Sequence, residues 1–170
     1  DFKSINYITE ERYLESPEIM LEKDDVLLVK DGSTLGIVNY IRELPFPTTV
    51  NSSIGIIRVV DKNILNPEYL LWQLKSDYMQ IVINRLKAGQ GVPHLFQKDI
   101  KNFAVVVPPI KDQIKIVDFI ITKNEIFNQI IGQETLQIEK LKEYRQAIIS
   151  EAVTGKIDVR DWQLNKTKVV

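Results

Sequence analysis

Hydrophobic and polar positions follow three rhythms along this chain, and each predicts a different kind of element. Near the start, short apolar runs are separated by turn residues. "DVLLVK" (25–30) reads as a strand, "DGSTLG" (31–36) opens with the Asp-Gly pair of a tight turn, and "IVNYI" (37–41) is the return strand. "VNSSIGIIRVV" (50–60) is rich in β-branched residues and reads as a further strand. The rhythm then changes to a helical one. Asn66 is a good N-cap, Pro67 suits the first helical position, and Leu70, Leu71, Leu74, Tyr78, Ile81 and Val82 recur at three- and four-residue spacing over 67–87. "AGQG" (88–91) stops this helix, with Gly89 placed for a left-handed cap. After a loop holding His94, "FAVVV" (103–107) predicts a short buried strand.

Pro108 and Pro109 end that strand, because proline cannot donate to a sheet and keeps its predecessor out of the helical region. Beyond them, residues 111–152 contain no proline and only Gly132, which predicts a helix of ~60 Å. Its pattern has a period near 3.5 through Val117, Ile120, Asn124, Phe127, Ile131, Glu134, Ile138, Leu141, Arg145, Ile148 and Ala152, and eight of these eleven are apolar. Such a seam fits a coiled coil. Phe127, Ile131, Ile138, Leu141 and Ile148 are the expected contacts with a second helix; the alternative is a helix that breaks near Gly132 and folds back as a hairpin. "VTGKIDVR" (153–160) closes the helix at Thr154-Gly155 and leaves it as an extended segment. The predicted organisation is α+β: a mixed domain over 1–109, a long helix over 110–154 and an extended tail over 155–170.

Composition narrows the chemistry. With 44% hydrophobic and 26% charged residues the chain is globular, and it has neither a signal-peptide pattern nor a membrane-length apolar run, so a cytoplasmic protein is expected. The absence of cysteine excludes disulfides and thiolate chemistry, and a single histidine excludes a His-rich metal site. A net charge of −1 argues against a nonspecific polyanion binder, yet residues 83–101 carry Arg85, Lys87, Lys98 and Lys101 against Asp99 alone. Gly32 and Gly36 lack the Gly-Lys-Ser/Thr ending of a phosphate loop, and no Gly-x-Ser-x-Gly elbow exists. Asp24 and Asp25 read as solvated turn carboxylates. His94, between Val92-Pro93 and Leu95-Phe96, reads as a hydrogen-bonded structural histidine or a nucleic-acid-facing one before it reads as a catalyst. No catalytic residue and no cofactor site are expected; the chain reads as a binder.

The order "LEKDDVLLVKDGSTLGIV", "VNSSIGIIRVV", "PEYLLWQLKS", "AGQGVPHLFQKDIKNFAVVVPPIKDQIKIVDFI" and "EKLKEYRQAIISEAVTGKIDVR" resembles the specificity subunit of type I restriction–modification enzymes over about residues 7–160. The most specific pieces are the step Pro108-Pro109 to Gln113 and the closing "LKEYRQAIISEAVTGKIDV". The resemblance implies a non-catalytic DNA target recognition domain followed by a spacer helix. In the family two such units lie in tandem with their helices packed antiparallel, so this chain is expected to be a half-subunit that pairs with a second copy. Implied partners are double-stranded DNA, DNA adenine methyltransferase subunits and an ATP-driven restriction subunit. S-adenosylmethionine, ATP and Mg would belong to those partners. The competing reading is an adaptor or decoy that docks the methyltransferase through its helix and reads no DNA.

The resemblance does not transfer base-reading residues, so the candidates follow from side-chain chemistry. Lys30, Ser33 and Thr34 in the first loop suit phosphate contact, and Gln90, His94, Gln97 and Lys98 in the second suit base edges or phosphates. Arg42, Arg85 and Lys87 add cationic contacts.

Overall fold

Each apolar run near the start of the chain yields a strand shorter than itself. In the computed structural model, which describes residues 5–86 and 93–163, a short helix α1 (Glu10–Leu14) and a 3₁₀ turn (Pro17–Ile19) come first. They lead to β1 (Val26–Val29), β2 (Val38–Tyr40) and β3 (Ile54–Ile57), which form an antiparallel sheet with β1 in the middle. Val26 lies opposite Tyr40 and Ile57, and Leu28 opposite Val38 and Gly55. The two-residue period sends Val26 and Leu28 to one face, where both are fully buried. They meet Leu35, Val38, Leu70, Leu71, Leu74, Met79, Ile83 and Leu95 in one core.

The predicted helix over 67–87 is two helices, α2 (Pro67–Lys75) and α3 (Asp77–Leu86). Asn66 caps α2 as expected, its side chain accepting from the N–H groups of Glu68 and Tyr69 at 2.9 and 3.0 Å. Ser76 makes the break. Its backbone is extended, its hydroxyl donates to the Gln73 carbonyl at 2.6 Å, and the same oxygen accepts from Met79 N–H. One serine thus closes α2 and caps α3. The break turns the second half of the apolar pattern: Tyr78 and Ile81, expected on the core face, are exposed, while Met79 and Ile83 are buried.

Residues 103–107 do not form the predicted strand. Phe103 and Val105 still pack on the core while Val106 and Val107 are exposed, so the in–out alternation is present without a ladder. A side chain replaces the neighbouring strand: Gln73 donates through Nε2 to the Val106 carbonyl and accepts from Val106 N–H through Oε1. A small helix α4 (Gln97–Ile100) precedes this segment.

Two buried polar groups fasten the periphery. Asp25, expected to be solvated, is fully buried and accepts from Arg58 Nε and Nη2 at 2.7 and 2.8 Å and from Glu22 N–H at 2.7 Å. Gln113, four residues past the Pro-Pro step, is also fully buried. Its Oε1 accepts from Asn66 N–H at 2.8 Å, and its Nε2 donates to the carbonyls of Ile64 and Pro108 at 2.8 and 2.7 Å. Every polar atom of the amide is used, which is what makes burying it tolerable.

The last helix, α5 (Ile110–Val153), runs unbroken for 44 residues, or ~66 Å. The hairpin alternative at Gly132 is not adopted: a lone glycine costs only about 1 kcal/mol, and no proline accompanies it. The helix ends in a Schellman motif, with Gly155 at φ +73°, Lys156 N–H on the Glu151 carbonyl and Gly155 N–H on the Ala152 carbonyl. The chain divides into two compact units, one running to Ile120 and the other from Ile121. The class is α+β. Among the described residues no helix is long and apolar enough to cross a membrane.

Candidate nucleic-acid interface

The two loops singled out by their side chains are hydrogen-bonded to each other. β1 continues past Val29 into a backbone bridge between Asp31 and His94. Leu95 N–H donates to the Lys30 carbonyl at 2.9 Å, and Gly32 N–H donates to the Pro93 carbonyl at 3.1 Å. On the other side, Lys30 N–H donates to the Ser53 carbonyl at 2.7 Å, so the end of β1 is held between two segments. Leu95, fully buried in the core, anchors the second loop from below.

The far end of the first loop is fixed against α3. Gly36 adopts φ +95°, and a Cβ there would meet Gln80 Oε1 and Ile83 Cγ2, both at 3.2 Å. Gln80 Nε2 donates to the Gly36 carbonyl at 3.1 Å and also holds the Leu74 carbonyl at 2.8 Å. The positive φ favours glycine, and a Cβ would also have to displace the Gln80 and Ile83 side chains by a few tenths of an ångström. Between these anchors Ser33 and Thr34 stand exposed at the tip.

At the junction, His94 Nδ1 hydrogen-bonds to Asp31 Oδ1. The ring meets Phe96 edge-on, with centroids 4.6 Å apart, and Lys98 Nζ lies 5.3 Å from the centroid of the same phenyl ring. Lys30, Ser33, Thr34, His94, Gln97 and Lys98 therefore belong to one stitched pair of loops. Asp31 was missed by the sequence reading, because 63 residues separate it from His94.

Arg42 and Arg85 lie outside this pair of loops. Arg42 is engaged away from these loops: Nη2 pairs with Glu68 Oε1 at 2.6 Å, and the guanidinium lies 5.7 Å from the Tyr40 ring centroid. Arg85 is exposed on α3. Lys87 and Gln90, together with the Gly89 cap, fall outside the described residues. A groove of about 970 Å³ lies between residues 5–19 and 46–52, and none of the predicted contacts lines it. Among the described residues no group of three or more His, Cys, Asp or Glu could hold a metal.

The second unit presents a different surface. Phe127, Ile131, Ile138, Leu141 and Ile148 are all exposed along α5.

Comparison with known proteins bears on both units. The chain is 25% identical over 168 residues to the specificity subunit of the type I restriction enzyme MjaVIII of Methanocaldococcus jannaschii. That alignment takes in 90% of this chain and 36% of the relative, so the chain spans about a third of the length of the protein it matches. Residues 5–140 match the profile of the type I restriction modification DNA specificity domain, a span that includes both stitched loops and the first thirty-one residues of α5. This chain belongs to the type I restriction modification DNA specificity domain family.

Proposed function

We propose that this chain reads a specific double-stranded DNA sequence through the stitched loops at 30–36 and 93–98. In this reading it carries no catalysis of its own and directs a DNA adenine methyltransferase and an ATP-driven restriction subunit to the site. S-adenosylmethionine, ATP and Mg then act on those subunits. The observation that carries the reading is the family match over residues 5–140. The loop geometry supports it: exposed hydroxyl, amide and ammonium groups and a half-buried imidazole are displayed from a backbone fixed on both sides, the rigid presentation that base reading needs. Arg85, Lys87 and Gln90 would extend the contact region.

The exposed stripe on α5 supports a second element of the proposal. In this reading the chain acts as a half-subunit, pairing two copies through Phe127, Ile131, Ile138, Leu141 and Ile148 and reading a site with matching two-fold symmetry.

The test is binding of the purified chain, with whatever subunits accompany it from cells, to a randomised duplex library at several salt concentrations. Enrichment of one motif, with affinity falling steeply as salt rises, is the expected result. Co-purification of a methyltransferase without any duplex binding would instead support the adaptor reading.

A further inference from the structure

The Asp31–His94 contact joins the two loops through side chains as well as backbone, and it constrains which hydrogen-bonding group the histidine can offer. An ionised carboxylate only accepts, so the hydrogen in this contact is on Nδ1. In the neutral imidazole Nε2 then keeps its lone pair. Among the described residues no protein group is hydrogen-bonded to Nε2, and 39% of the histidine side chain stays open to solvent beside the exposed tip of the first loop. The Asp31 carboxylate on Nδ1 and the edge-on Phe96 ring limit rotation of the imidazole. While the imidazole is neutral, the result is a held hydrogen-bond acceptor at Nε2, set beside the ammonium donors of Lys30 and Lys98.

A fixed acceptor has a definite complement in duplex DNA. In the major groove adenine presents N6–H₂ and cytosine N4–H₂ as donors, whereas guanine and thymine present O6 and O4 as acceptors. We propose that Asp31 is a positioning residue for sequence reading: it holds His94 with Nε2 as acceptor, so that His94 selects an amino-bearing base, adenine or cytosine, over a keto-bearing one at one position of the site. This inference rests on the DNA-reading function proposed above and adds to it a residue and a base class. Asp31 itself repels phosphate, so a carboxylate at the junction of the two loops fits orientation of the imidazole better than charge attraction.

The experiment is sequence selection from a randomised duplex library with three forms of the full chain: wild type, Asp31→Asn and His94→Ala. Thermal midpoints and salt slopes are measured for each. Asn at 31 can donate to Nδ1 through its amide and so permits the opposite tautomer, while Ala at 94 removes the reader. The expected result is a wild-type motif containing one position restricted to adenine or cytosine. Both variants relax that same position about three- to tenfold, the worth of one hydrogen bond, while the rest of the motif, the salt slope and the thermal midpoint stay unchanged. A wild-type motif that both variants retain at every position overturns the inference and leaves the DNA-reading function standing. Uniform weakening across all sequences, or a lowered thermal midpoint in both variants, makes the pair a loop staple only and also overturns it. If wild type selects no motif, the DNA-reading function fails, and this inference with it.

Discussion

The unit that runs to Ile120 and the unit that begins at Ile121 treat apolar and polar groups in opposite ways. In the first, apolar side chains from the sheet, α2, α3 and the His94 loop close around one another, and the buried polar groups Asp25 and Gln113 find partners within the same unit. In the second, one helix carries Phe127, Ile131, Ile138, Leu141 and Ile148 in a stripe that stays exposed in the single chain. A helix by itself has no interior, so a seam of period 3.5 on it suits packing against a second helix. The first unit closes its apolar side chains into a core beneath the stitched loops; the second leaves its apolar stripe on the surface of the single chain.

That contrast can be broken most directly at Gln113. Gln113→Leu keeps the volume but strands the N–H of Asn66 and the carbonyls of Ile64 and Pro108, with an expected loss of about 3 kcal/mol. The urea midpoint should fall with an unchanged slope. Gln113→Glu sharpens the point. It can still accept from Asn66 N–H but, even when protonated, can donate to only one of the two carbonyls, so a loss as small as that of a surface substitution would mean the second carbonyl bond matters little. Arg58→Met comes next. It leaves the buried Asp25 carboxylate with Glu22 N–H alone, but the Arg58 side chain is 41% exposed, so water can reach the vacated place. The expected loss is about 2 kcal/mol, below the range for a fully buried pair.

The helix stripe should behave in the opposite sense. Ile138→Ser combined with Leu141→Ser is expected to change the unfolding free energy of the first unit, measured in urea, by less than about 0.5 kcal/mol, as distant exposed substitutions do. Light scattering should show the proposed two-fold pair reduced to single chains over the same concentrations. A mass that is already that of one chain in wild type would remove the pairing from the account.

The same division governs what could be read in the sequence. Asn66-Pro67, the strand runs and the 3.5-residue period of α5 are local signals, and local signals suffice for elements whose partners lie nearby or are periodic. Ser76 was hidden because the apolar period ran through it, although Ser-Asp is also a helix start and could have raised the question. Asp25 looked solvated because its guanidinium partner is 33 residues away. The Gln73 side chain likewise takes the place of a strand beside Val106 across 33 residues, and no propensity records that. At the candidate site, the loops were legible as polar punctuation between apolar runs. Their stitching through Asp31 and His94 was not, because hydrogen bonds across 63 residues leave no periodic trace.

The smallest expected effect lies beside Asp25, at Asp24. Its φ of +75° is uncommon for a residue with a side chain, and Asn tolerates it as well as Asp does. The carboxylate accepts from Lys62 Nζ at 2.7 Å and from Tyr40 Oη at 2.5 Å. The Lys62 hydrogen bond, followed by that of Tyr40, holds the carboxyl below its ordinary value, and desolvation only partly opposes them. Because the folded value is depressed, the stabilisation is complete above the ordinary carboxylate range of about 3.9 and is lost as pH falls through the folded value. Asp24→Asn removes the titrating group and keeps the backbone. Wild type should therefore exceed the variant by a constant margin around pH 7, with the margin shrinking in acid. A margin that is the same at both ends would mean that Asp24 acts through its shape rather than its charge, and the peripheral ion pairs of the first unit would then be uncoupled from the acid limb of its stability.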